Sequence, residues 1–160
     1  MAYQSNDFKQ PDSEFTDKVV EIKKVSKKTK GGNQISFTAL VVSGDQKSQV
    51  GVGLGRAKSV ADAIKKGISR ARKNFITVPI IDGTIASEIF LKFKGAQILM
   101  RPGKKGSGLI VGGPVRAVVE CAGLKDVVSK IVGSKNKSVN VWAAFEALTR
   151  LGTLNHDSTK

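Results

Sequence analysis

The spacing of apolar residues changes period once, near residue 58, and this constrains the fold more than any other feature. Before it, VVEIKKVS (19–26), ISFTALVVS (35–43) and SQVGVGLG (48–55) have strand character, with Gly44 and Asp45 opening a tight connection between the second and third. After it, in SVADAIKKGISRARKNF, Val60, Ile64, Ile68 or Ala71, and Phe75 recur at helical spacing behind a capping pair, Ser59 and Asp62. Three strands and a helix, βββα, bury a sheet face against a helix face and predict a two-layer unit over residues 18–76.

A second unit is expected over 77–152, because TVPIIDGT, with Pro79, Asp82 and Gly83, interrupts the pattern. SEIFLKFK and AQILMRP read as strands, RPGKKGSG as a loop, and LIVGG as a short apolar strand. Pro114 opens a helix through PVRAVVECA that Gly123 ends. LKDVVSKIV reads as a shorter helix ending at Gly133, and VWAAFEALTRL as a last helix closed by Gly152, with Trp142, Phe145 and Leu148 facing the core. The second unit is therefore α+β. Residues 1–17 are expected to be a disordered lead-in and 153–160 a flexible tail.

Charge points to a partner. The chain carries a formal net charge of +14, and residues 18–76 alone hold fourteen basic and three acidic residues. Such an imbalance calls for a polyanion, nucleic acid before membrane. Five lysines, Lys23, Lys24, Lys27, Lys28 and Lys30, precede Gly31 and Gly32 at the tip between the first two strands. A strand edge needs only one or two lysines to discourage unwanted pairing. Arg56 and Lys58 lie at the strand-to-helix junction, and Lys66, Arg70 and Lys73 line one side of the helix, with Lys65 and Arg72 beside them. A plain solvated face is the alternative for that helix, but Asp62 is the one acid among these cations, and self-repulsion favours an anionic partner.

Other chemistries fit poorly. In GVGLGRAKS, Arg56 stands where a GxGxxG loop needs its last glycine, and no GK[ST] follows. Gly51 and Gly53 are instead expected to let another backbone or a helix pack closely, and Gly55 to turn the chain into the helix. Cys121 is the single cysteine and His156 the single histidine, so no zinc site or internal disulfide is expected. No nucleophile–base pair is visible, so no enzyme and no cofactor is expected. The start, MAYQSNDFKQPDSEF, lacks the apolar core of a signal peptide and no stretch is long enough to span a bilayer, which predicts a cytoplasmic protein.

GGNQISFTALVVSGDQKSQVGVGLGRAKSVADAIKKGISRARKN (31–74) closely resembles the signature of the bacterial ribosomal protein S-five family. The likeness continues through RPGKKGSGLIVGGPVRAVVECAGLKDVVSKIVGSKN and NVWAAFEAL, covering about residues 18–152. The resemblance implies a double-stranded-RNA-binding-like N-terminal domain and a C-terminal α+β domain of a widespread ribosomal type. It also implies binding to small-subunit ribosomal RNA, contacts with the fourth and eighth small-subunit proteins, a place near the messenger entry path with the third and fourth, and an influence on decoding. Family resistance to spectinomycin maps to the loop matched by Ser26 to Gly32, so the lysine tip is expected to be an arm reaching into RNA. Arg116 matches a family position at the border with the fourth protein, and Lys104 and Lys105 are assigned to the same interface.

Two departures stand out. Where many relatives have Pro-Ala and a Gly-Thr-Gly run, this chain has the more basic Pro102 to Gly108, and the first unit lacks the leading helix of ordinary double-stranded-RNA-binding domains. A freestanding RNA-binding or annealing protein would share the charge and the βββα unit. An enzyme acting on phosphorylated substrates could use GKKGSG as an anion loop.

Overall fold

The computed structural model describes residues 14–157. The expected disordered lead-in lies outside these residues as far as position 13, but its last part is ordered, with Phe15 packed on Phe75, Thr16 opening β1 and Asp17 buried; the expected flexible tail lies outside beyond position 157, and 153–157 belong to the last helix. The first unit is a four-stranded antiparallel sheet of β1 (Thr16–Thr29), β2 (Gly32–Gly44), β3 (Gln49–Ala57) and β4 (Ile76–Thr77), in that order, with α1 (Val60–Lys73) between β3 and β4. Ser59 caps α1, its hydroxyl oxygen accepting from the Asp62 amide at 3.1 Å.

Alternation divides β2 and β3 into two apolar faces. Ala39 and Val41, with Gly51, Gly53 and Gly55, face α1, while Leu40, Val42, Val50 and Val52 face the other way. The close approach expected at Gly51 and Gly53 is present. A Cβ at Gly53 would overlap the Gly67 carbonyl oxygen and lie 2.5 Å from the Ala71 nitrogen. Gly55 differs from expectation: it does not turn the chain but belongs to β3, where a Cβ would strike the Ala63 carbonyl. The face of α1 that meets the sheet is accordingly small, Ala63, Gly67 and Ala71, with Ile64 and Ile68 only partly buried along its flank. A glycine strand leaves no depth for a large side chain directly above it.

The lysine tip also differs from a loop. Pairing of β1 with β2 runs unbroken from Glu21↔Leu40 to Thr29↔Gly32, so Lys30 and Gly31 alone form the turn. Gly32 takes φ +120°, and the Thr29 hydroxyl donates to the Gly32 carbonyl at 2.7 Å. Pairing with β3 stops at Phe37↔Ala57. The last five rungs of the β1–β2 hairpin therefore project as a two-stranded ribbon of about 17 Å.

The second unit begins with a small hairpin, β5 (Ile80–Ile81) and β6 (Thr84–Ile85), followed by β7 (Ile89–Phe93), β8 (Ala96–Pro102), β9 (Leu109–Ile110), α2 (Gly113–Ala122), β10 (Val127–Val132) and α3 (Lys137–Asp157). Its main sheet has the order β7-β8-β10-β9, with β9 and β10 parallel on either side of the α2 crossover. Gly123 closes α2 in the left-handed region at φ +88°, as its position suggested. Two readings need correction. LKDVVSKIV contains β10 and no helix, because Val127, Val128, Ile131 and Val132 are β-branched and serve a strand with neighbours on both edges. Gly152 does not close α3, which continues to Asp157; without a side chain, Gly152 fits against the Thr77 carbonyl, 3.0 Å from where a Cβ would stand.

One core joins the units. Leu40, Val42, Val50 and Val52 from the first sheet share it with Val118, Val119 and Cys121 of α2 and Ala144 and Leu148 of α3. Trp142 and Phe145 pack at its margin, edge to face at 5.9 Å. The first sheet is thus covered by α1 on one side and by α2 and α3 on the other. No described helix is long and apolar enough to cross a membrane.

Candidate nucleic-acid interface

The predicted cations fall into three neighbouring places on the first unit. Along the β1–β2 hairpin, alternation puts Lys23 and Lys27 on one face and Lys24 and Lys28 on the other; Lys27 and Lys28 stand on the ribbon, Lys23 and Lys24 on the rungs just before it, and Lys30 and Gly31 at the turn, and all are exposed. Lys23 is partly neutralised by Glu21 at 3.1 Å. The ribbon is therefore cationic on both sides, which suits insertion between phosphates better than lying flat on them.

The second place is the notch left where β3 ends and β2 continues. It has a volume of about 660 Å³ and collects Arg56, Lys58 and Lys66 from the expected set, together with Lys65, Asp62, Ala57 and the β2 residues Gln34, Ile35 and Ser36. Arg56 is held in place by donation from its Nε to the Ser36 hydroxyl at 3.0 Å. The Ser59 hydroxyl donates to the Asp62 carboxylate at 2.7 Å. Sequence reasoning missed Gln34 and Ser36, because only the different lengths of β2 and β3 bring them beside Arg56.

The third place is the outer side of α1, where Lys66 continues into Arg70 and Lys73. Arg70 bends back to donate to the Leu54 carbonyl at 2.7 Å, shielding the edge of β3 that β4 covers only at Gln49 and Val50. Arg72 is turned away from this side altogether. It binds Asp17 at 3.1 Å and lies over the Phe15 ring, tying the start of β1 to the end of α1.

The residues assigned to a protein border lie across the sheet from α1. Arg116, in the first turn of α2, donates to Glu120 at 2.9 Å, and Lys18 of β1 reaches the other oxygen of the same carboxylate at 2.6 Å. Partial burial pushes the Glu120 carboxyl up, but the bonds from Lys18 and Arg116 outweigh it and hold the group below its ordinary 4.5. Lys104 and Lys105 project from the loop between β8 and β9. The amides of Gly106 and Gly108 donate to the two oxygens of Asp126, at 3.1 and 2.7 Å, and hold it below its ordinary 3.8. An internal carboxylate thus occupies the position a bound phosphate would need, and the loop does not act as an anion cradle. Among the described residues no grouping of His, Cys, Asp and Glu could hold a metal.

Ribbon, notch and helix face together give a basic α+β protein whose exposed cations cluster on its first unit. Residues 15–79 match the family model for the N-terminal domain of ribosomal protein S5, and residues 91–160 match that for its C-terminal domain. Similar proteins include small ribosomal subunit protein uS5 of Treponema pallidum (strain Nichols), 47% identical over 141 residues that cover 88% of this chain and 81% of the relative. The protein of the same name from Chloroflexus aurantiacus is 43% identical over 147 residues, covering 92% of this chain and 83% of the relative. The chain belongs to the ribosomal protein S5 family.

Proposed function

We propose that this chain is a structural, non-catalytic constituent of the small ribosomal subunit that binds small-subunit ribosomal RNA and works on the cytoplasmic ribosome. The observation that carries the reading is the run of cations from ribbon through notch to α1, on a chain of this family. Lysines on both faces of a projecting ribbon supply phosphate contacts that position a protein without reading bases. Across the sheet, Arg116, Lys104 and Lys105 form the border with the fourth small-subunit protein; the eighth also touches this chain, and the third lies nearby at the messenger entry path. Through these contacts the protein contributes to subunit assembly, messenger entry and accuracy of decoding. Sucrose-gradient fractionation of cells expressing the tagged chain tests the reading. Co-sedimentation with the small subunit is expected, whereas a predominantly free pool of protein would favour a freestanding RNA-binding role.

A further inference from the structure

The notch at the end of β3 has features that phosphate binding does not require. Phosphate tracks are satisfied by exposed lysines on a convex surface, and the ribbon and α1 already supply these. The notch adds concavity, an apolar wall, a carboxylate and a guanidinium bound through its Nε to Ser36. Ile35 is 43% exposed on the α1 side of β2, next to Ala57, and offers an aliphatic surface. Asp62 repels phosphate but accepts hydrogen bonds from an exocyclic amine or a ribose hydroxyl. Beyond Phe37↔Ala57 the backbone edge of β2 has no strand partner on this side among the described residues. With Nε bound to Ser36, the terminal nitrogens of Arg56 are left as a planar fork, the geometry that stacks on or pairs with a nucleotide.

We infer that the notch takes one unpaired nucleotide of the RNA, its base against Ile35 and Ala57, its polar edge or 2′-hydroxyl toward Asp62, and the flanking phosphates on Lys58, Lys65 and Lys66. This deepens the RNA-binding reading and rests on it. RNA-binding modules that recognise sequence do so on unstacked bases, because the A-form major groove is too narrow to read.

The test uses the full chain and three RNA hairpins of equal length: a perfect duplex, the same duplex with a single-nucleotide bulge, and the bulge with an abasic residue. The bulged RNA should bind roughly tenfold tighter than the duplex, the scale of one base stacked on protein, and the abasic bulge should lose that preference. Ile35→Ala and Asp62→Asn, checked by melting curves for an intact fold, should bring the ratio of bulged to duplex affinity close to one. Equal binding of bulged and perfect duplexes by the unaltered chain would make the notch a phosphate track and overturn the inference while leaving RNA binding intact. A preference kept by the abasic RNA, or by both variants, would assign it to backbone bending and overturn the inference equally. Binding to none of the three RNAs would bring down the RNA-binding reading as well.

Discussion

Gly53→Ala isolates the contact on which the first unit depends. The added methyl would overlap the Gly67 carbonyl oxygen and stand 2.5 Å from the Ala71 nitrogen and 3.1 Å from its Cα. All three are backbone atoms inside α1, so no rotamer change relieves the clash, and the helix must lift off the sheet. Lifting also loosens the neighbouring contacts at Gly51 and Gly55, where added methyls would strike the Ala71 and Ala63 carbonyls. Overpacking in a close-packed core costs about 1–3 kcal/mol, and a rigid backbone obstacle puts this site at or above the upper end. Urea unfolding followed by far-ultraviolet circular dichroism measures it, with Gly113→Ala as control, since nothing lies within 4 Å of a Cβ there. The control should remain within about 0.5 kcal/mol of the parent. A Gly53→Ala midpoint equally close to the parent would refute the idea that glycine is required for helix-to-sheet distance.

Three further outcomes follow from the same geometry. Replacing Lys27, Lys28, Lys30, Arg56 and Lys58 by Gln should lower the slope of log affinity for ribosomal RNA against log salt by roughly one per lost contact, and an unchanged slope would remove these residues from the interface. Asp126 and Glu120 are both held below their ordinary 3.8 and 4.5, so each stabilises the fold above those values and loses that contribution as the pH falls through its lower folded value. Urea midpoints should therefore decline below about pH 4.5, and Asp126→Asn should flatten the most acidic part of the curve; parallel curves would show that the glycine amides do not matter. Arg116→Leu leaves Glu120 paired with Lys18, so the fold should change by about 0–1 kcal/mol, while ribosomes carrying the variant at normal occupancy should alter stop-codon readthrough modestly. Unaltered readthrough would make that border purely structural.

What the sequence disclosed was mostly local. The change of period marked β1, β2, β3 and α1, and the glycines of GVGLG announced a close neighbour before that neighbour was known. Lysine and glycine obscured the hairpin end, because both are poor strand formers, yet cross-strand pairing carried the ladder to Thr29 and Gly32 regardless. In LKDVVSKIV, Leu124, Val127, Val128 and Ile131 satisfy helical spacing as well as they satisfy a buried strand; only placement between β8 and β9 decides. Much of the site was legible as charge, but its shape was not. The notch exists because β2 outruns β3, Arg72 leaves the basic side because Asp17 is buried beside it, and the 103–108 loop is closed by Asp126, eighteen residues beyond Gly108.

The sheet sandwiched between α1 on one side and α2 and α3 on the other sets an order for the birth of this protein. When synthesis has passed α1, Leu40, Val42, Val50 and Val52 still have no cover, because the helices that shield them are encoded downstream. The nascent chain must carry an adhesive half-finished sheet until α2 and α3 emerge, and a message truncated near residue 79 would release a product with that face bare and prone to aggregate. For a chain with so many cations, early capture by RNA would add charge repulsion between such intermediates and keep them apart while the second half is made.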